Sequence, residues 1–200
     1  MRVVAGRLRG RALKAPAGDA TRPTGARVKE ALFSILADVS DARVLDLFSG
    51  SGALGIEALS RGARSAVFVE SARPALSCLR ENLTTLGLDD TAQVLPVRVE
   101  SALAQLRRLG PFDLVLCDPP WRDVLAAWRG LEELATGGLF APGARVVLEH
   151  AAKGPPPPPE GASPLRRYDE RRWGDTAVSL FEPADAPDRS GDQASKPTTE

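Results

Sequence analysis

Two acidic residues stand just ahead of turn-forming runs, and their surroundings suit them to hold a charged small molecule and an amine. Asp46 lies four positions before Gly50 in Asp46-Leu47-Phe48-Ser49-Gly50-Ser51-Gly52, and Asp118 opens Asp118-Pro119-Pro120-Trp121. Gly50 and Gly52 allow a sharp turn and leave no Cβ between backbone and ligand. A carboxylate at Asp46 would repel a pyrophosphate and attract an ammonium such as that of a methionine-like moiety. Glu70, about twenty residues further on, is spaced to hold ribose hydroxyls. At the second run, the Asp118 carboxyl and the Pro119 carbonyl both accept hydrogen bonds, and Pro120 stiffens the corner without adding a donor. Two acceptors aimed at one exocyclic amine orient its nitrogen for attack on an electrophile. Trp121 offers a flat face for a planar base, a contact worth ~1–3 kcal/mol where bases stack on aromatic rings. The amine must shed a proton, to Asp118 or to water. His150, the single histidine, ends a strand and reads as a surface residue rather than a base.

The spacing Gly50-Ser51-Gly52-Ala53-Leu54-Gly55 also spells a dinucleotide fingerprint. An NAD-dependent oxidoreductase is therefore one alternative, although it leaves Asp46 and the Asp118 corner without a task. A non-catalytic RNA-binding or assembly module on the same fold is another.

The elements that must position these residues follow from the apolar pattern. Val44, Leu45, Leu47 and Phe48, around Asp46, form a short apolar run of the kind a fully buried parallel strand shows. A helix follows the glycines, with Leu54, Ala58 and Leu59 on one face and Arg61-Gly62 as its stop. Strand, glycine loop and helix in that order aim a helix amino terminus at a ligand. Further helices are expected over 25–37, from Pro74 to a stop at Gly87, over 100–109 and over 124–134. Strands are expected over 65–69, 93–97, 112–117 and 144–149, the second of these an edge or a strand end because of Pro96. The alternation predicts a parallel sheet covered on both faces. Residues 165–172 and 177–181 then read as an antiparallel pair around Trp173-Gly174-Asp175. Residues 2–14 read as a small hairpin carrying Arg7, Arg9 and Arg11, or as a mobile basic arm. The five prolines at 155–159 read as a stiff connector, and the chain beyond Pro183 as a disordered tail.

Two hundred residues suit one domain, and equal numbers of basic and acidic residues, 26 each, leave the chain neutral overall. The distribution is uneven. Residues 1–30 hold eight Lys/Arg against two Asp/Glu, which suggests a polyanionic partner. Cys78 and Cys117 share no metal-like spacing and read as buried free thiols in a reducing compartment. No apolar run approaches the roughly 18 residues that cross a bilayer, and the basic amino terminus lacks the apolar stretch of a secretory signal. The expected location is the cytoplasm.

Taken together, Arg22-Pro23-Thr24, the stretch from Asp46 to Ala63, Phe68-Val69-Glu70, Asp118-Pro119-Pro120-Trp121 and Trp173-Gly174-Asp175-Thr176 resemble the RsmD family. These are S-adenosylmethionine-dependent methyltransferases acting on the N2 amine of a guanine in small-subunit (16S) ribosomal RNA. The resemblance covers about residues 1–182. It implies a class I, Rossmann-like α/β fold: a seven-stranded, mostly parallel sheet with helices on both faces and its last two strands antiparallel. It divides the chain into a basic amino-terminal hairpin or arm (1–24), a methyltransferase domain (25–182) and the tail (183–200). Carried over, Asp46, Phe48, Gly50, Gly52, Glu70 and Val99 bind S-adenosylmethionine, and Asp118, Pro119 and Trp121 present the guanine. Arg7, Arg9, Arg11, Arg22 and Arg122 would meet RNA, probed as an assembled or partly assembled small subunit by a monomer that needs no metal. Three departures stand out: Gly25-Ala26 in place of Thr-Asp, Arg98 in place of an acid beside the adenine, and Trp121 in place of Tyr or Phe.

Overall fold

The computed structural model describes residues 1–16, 26–153 and 163–185. Arg22, the proline run at 155–159 and the tail from residue 186 lie outside the described residues. The elements run α1 (Ala26–Leu36), β1 (Arg43–Leu47), α2 (Ala53–Ser60), β2 (Ser65–Val69), α3 (Arg73–Leu86), β3 (Ala92–Leu95) and α4 (Val99–Leu106). They continue as β4 (Phe112–Cys117), a 3-10 turn (Trp121–Asp123), α5 (Val124–Thr136), β5 (Phe140–Ala151), β6 (Leu165–Trp173) and β7 (Thr176–Pro183).

The seven strands lie in the order β3-β2-β1-β4-β5-β7-β6. The first five are parallel, and β7 runs antiparallel to both β5 and β6. The order turns back between β1 and β4, so the carboxyl ends of those two strands flank the crevice where open α/β sheets bind ligands. Because successive side chains of a strand point to opposite faces, β1 sends Val44 and Asp46 one way and Leu45 and Leu47 the other. The first face packs under α1, α2 and α3, with Leu32, Phe33, Ile56, Leu59, Leu79 and Leu83 buried. The second packs under α4 and α5, with Ala102, Leu106, Trp128, Leu131 and Leu134 buried.

Several boundaries differ from the sequence pattern. β3 stops at Leu95, directly before Pro96, and is an edge strand, where a residue without an N–H ends the ladder. α4 starts one residue early, at Val99, and stops at Leu106. β5 starts at Phe140, because an irregular pairing with Phe112 extends it beyond the regular ladder from Arg145. His150 is not a surface residue. It is buried on β5, where its Nδ1–H donates to the Ala151 carbonyl at 3.0 Å and its Nε2 accepts from the Ser179 hydroxyl at 2.9 Å. Burial pushes its pKa down, so it sits neutral in a satisfied pair. Cys117 is buried as expected, whereas Cys78 is only half-buried.

The amino-terminal residues form a hairpin closed by one antiparallel bridge, Arg2 to Ala12. Its Val3, Leu8 and Leu13 are buried in the α1–α3 core rather than held away from it. What holds it there is Glu57, an acid in the middle of an otherwise apolar helix. The Glu57 Oε2 accepts from the Val4 N–H at 2.8 Å and lies 3.1 Å from the Lys29 Nζ, while Oε1 accepts from the Ala5 N–H and the Arg61 Nε, each at 2.9 Å. Lys29 is 1% exposed and Glu57 0%, and the Lys29 ammonium also donates to the Arg2 carbonyl at 2.9 Å. Ser60 adds a second clamp, accepting from the Leu8 N–H and donating to the Ala5 carbonyl. Removing one partner of a buried pair leaves the other charged and unpaired. Glu57→Ala is therefore expected to cost ~3–5 kcal/mol in urea unfolding; a loss below ~1 kcal/mol would contradict this role.

Candidate active site

Asp46 is the penultimate residue of β1 and is buried. Its Oδ2 accepts from the Gly55 N–H at 2.9 Å. A Cβ on Gly55 would lie 2.4 Å from the Phe68 ring and 2.9 Å from that same oxygen, so only glycine lets α2 approach this closely. Burial pushes the Asp46 pKa up to about 8; the Gly55 hydrogen bond opposes the rise, and the nearby Asp118 and Glu70 carboxylates add to it. Gly52, the residue capping α2, has φ +83, and a Cβ there would meet Leu79 at 2.5 Å. At Gly50 the corresponding position is open, with the Phe48 carbonyl at 4.0 Å as its nearest neighbour. The loop thus offers bare backbone on its outer side and tight packing on its inner side.

Glu70 follows β2 and stitches this loop to α3. Its Oε2 accepts from the Gly50 N–H at 2.8 Å, and its Oε1 accepts from the N–H groups of Ser71 and Ala72, each at 2.7 Å. Asn82 secures the other side of the loop. Its Nδ2 donates to the Ser51 and Lys14 carbonyls at 3.0 Å each, while its Oδ1 accepts from the Lys14 N–H at 2.8 Å. Phe48 takes φ +56, a left-handed conformation that costs a bulky residue of order 1–3 kcal/mol and tends to occur at functional sites. It lines a cavity of about 260 Å³ with Val99, Leu103, Ala126 and Gly130 between α4 and α5. Phe48 and Val99 are thereby brought together beside the glycine loop.

Asp118 follows β4, its N–H 3.5 Å from the Leu47 carbonyl at the end of β1. It is near enough for its charge to raise the pKa of both Asp46 and Cys117. Pro119 is buried, and Trp121 starts the 3-10 turn with 41% of its surface exposed. Arg122 is exposed beside Asp123, 3.6 Å away. Arg98 caps α4 and pairs with Glu100 at 3.2 Å. The exposed hairpin residues Arg7, Arg9 and Arg11 are not brought to this corner. The Arg7 N–H bonds to the Ser60 carbonyl at the carboxyl end of α2, and the Arg11 guanidinium to the Thr85 carbonyl late in α3. The glycine loop is at the opposite end of α2, roughly 12 Å of helix away.

The groups present fit S-adenosylmethionine: a buried acid near the carboxyl end of β1, a glycine cradle without Cβ atoms, a carboxylate just after β2, and an apolar slot for a planar base. Gly55 and Asn82 also shape the loop, and the Asp46–Gly50–Gly52 pattern passed over both. The third glycine of the fingerprint was the available signal for Gly55, whereas nothing local marks Asn82.

This sheet order, with a glycine loop after β1 and an acid-proline corner after β4, defines a class I methyltransferase. A family model described as conserved hypothetical protein 95 matches residues 1–182. Ribosomal RNA small subunit methyltransferase D of Escherichia coli K12 is 38% identical over 188 residues, spanning 91% of this chain and 89% of its own length. The protein of the same name from Haemophilus influenzae is 33% identical over 184 residues, spanning 91% and 93%. A solved Escherichia coli structure, described provisionally as the methyltransferase yhhF, superposes with a TM-score of 0.75 at 36% identity, covering 92% of this chain and 97% of that one. The chain belongs to this family, the RsmD family of methyltransferases. Family membership sets aside the oxidoreductase alternative.

The Asp46 environment makes a prediction about stability. With a folded pKa of about 8 against an unfolded value of 3.8, the folded state carries an extra proton between those limits. Stability from this group is then full below about pH 4 and is lost as pH rises towards 8. Asp46→Asn, which keeps the acceptor for Gly55, should unfold in urea with a flatter pH dependence over pH 5–8 than the parent. It should also be the more stable protein at pH 8; parallel profiles would contradict the assignment.

Proposed function

We propose that the protein transfers a methyl group from S-adenosylmethionine to the exocyclic N2 amine of a guanine in small-subunit ribosomal RNA. The observation that carries this reading is the placement of the Asp118-Pro119-Pro120-Trp121 corner one strand away from buried Asp46, across the crevice between β1 and β4. The relatives named above as ribosomal RNA small subunit methyltransferases support the choice of RNA.

In this reading Asp46 and the Gly50–Gly52 loop hold the methionine end. Glu70, with three main-chain N–H groups already bound, turns its remaining lone-pair capacity to a ribose hydroxyl. Phe48 and Val99 enclose the adenine, and the Gly130 side of the slot leaves room for it. When bound, S-adenosylmethionine supplies an electrophilic methyl carbon on a sulfonium, and the chemistry needs no metal. Asp118 and the Pro119 carbonyl accept hydrogen bonds from the amine and direct its lone pair into the crevice. As the nitrogen–carbon bond forms and the carbon–sulfur bond breaks, the amine's surplus proton leaves to Asp118 or to water. Trp121 stacks on the base.

Arg7, Arg9, Arg11 and Arg122 contact phosphates, and the hairpin arginines do so at a distance from the target nucleotide. Such contacts read no sequence, so a single protruding guanine in an assembled or partly assembled small subunit is the natural substrate for a monomer of this size, acting in the cytoplasm. Among the described residues no helix is long and apolar enough to cross a membrane.

The test supplies labelled S-adenosylmethionine with unmethylated small-subunit particles, naked ribosomal RNA and DNA in parallel, and maps the label. The expected result is label on the N2 of one guanine, strongest in particles. Label on adenine, or equal labelling of DNA, would overturn the substrate assignment, and RNA binding without any transfer would favour the non-catalytic module. Asp118→Ala should lower the rate on the order of a hundredfold or more while keeping cofactor affinity within a few-fold. Asp46→Ala should weaken cofactor binding itself; equal loss of affinity in both variants would contradict the division of roles.

A further inference from the structure

At the start of α5, next to the amine-presenting corner, stands an exposed apolar side chain, Leu125, to which the reading above gives no task. Among the described residues the exposed large hydrophobic side chains are Met1, Trp121 and Leu125. Leu125 is 59% exposed and lies at the start of α5, four positions after Trp121, whose 3-10 turn leads directly into that helix. Exposed Arg122 lies beside Trp121, and exposed Arg129, one turn past Leu125, stands at the rim of the cavity that Phe48 and Val99 line. Single exposed leucines are ordinary on protein surfaces. An exposed pair that adjoins the amine-presenting corner and is bracketed by arginines has the make-up of a single-stranded nucleotide platform, with apolar surface for a base and cations for the phosphates on either side.

We infer that Leu125 receives the base of an unpaired nucleotide next to the target guanine, with Arg122 and Arg129 on the flanking phosphates. The inference rests on the RNA methyltransferase reading above. A guanine that reaches Asp118 has left its stack, and the face of its neighbour is thereby exposed to water. Proteins that hold such distorted strands place apolar wedges against the uncovered base. Leu125 stands where this wedge is needed, one helical turn from Trp121. The site selects by shape and stacking, so it tolerates any base at the neighbouring position. The partner is an RNA strand and not a protein groove, because the apolar area is two side chains wide and cationic at both ends. Asp123, 3.6 Å from Arg122, moderates the charge at one end without covering Leu125.

The test replaces Leu125 with the photoreactive amino acid benzoylphenylalanine, irradiates the full-length protein on unmethylated small-subunit particles, and maps the crosslink. The expected crosslink falls within two nucleotides of the guanine that the unaltered protein methylates in the same particles. A crosslink to a ribosomal protein, to a second copy of this chain or to a distant stretch of RNA would overturn the inference, as would methylation without any RNA crosslink. In parallel, Leu125→Ser should raise KM for particles about five- to tenfold, with kcat, melting temperature and S-adenosylmethionine affinity unchanged. A fall in kcat at constant KM would contradict a docking role. If the unaltered protein methylates no RNA, the functional reading itself fails, and the crosslink still reports what Leu125 touches.

Discussion

The contact on which the site depends is the hydrogen bond from the Gly55 N–H to the buried Asp46 carboxyl. It requires a helix to approach a strand end so closely that a Cβ at position 55 would strike both Phe68 and the carboxyl itself. That approach fixes the start of α2, which in turn sets the left-handed turn at Gly52 and the open backbone at Gly50. Glu70 and Asn82 then lock the loop from its two flanks. An acid held this way is poorly solvated and close to other acids, so a cation entering the crevice relieves a cost already present in the fold. The close packing of the loop and the raised pKa of Asp46 are thus one property of the β1–α2 junction.

Much of this was legible in the sequence because it depends on local rules. Val44 to Phe48 is apolar except for Asp46, as a buried strand carrying one functional acid must be, and β2 and β4 span the residues that the sequence pattern marks for them. Gly87 takes the left-handed C-cap that a terminal glycine implies. Asp118 lies at a strand end because the prolines after it cannot continue the ladder. What escaped local reading depends on distant partners. Nothing near His150 announces that Ser179 will satisfy it, and nothing near Asn82 announces Lys14 and Ser51. Glu57 was visible as an acid inside an apolar helix, but its role becomes apparent only when the hairpin and Lys29 close over it.

The hairpin shows how charge can mislead about position. Its arginines supply most of the basic excess of the leading residues, which points to a polyanion, yet packing against Glu57 and Ser60 anchors them at the far end of α2 from the glycine loop. The rim of the corner is built instead from Trp121, Arg122 and Leu125. The hairpin arginines and this rim are thus separate surfaces of the molecule.

The central claim is that Asp46 is neutral in the empty protein and ionises against the ammonium of the cofactor. Calorimetric titration with S-adenosylmethionine at pH 6.5, repeated in buffers of different ionisation enthalpy, counts the protons exchanged. At that pH the ligand's amino group is already charged, since α-amines titrate near pH 7.7–8.0, and Asp46, with a pKa of about 8, is still protonated. The account predicts release of close to one proton on binding, and none from Asp46→Asn. Binding of the unaltered protein with no proton released would contradict it.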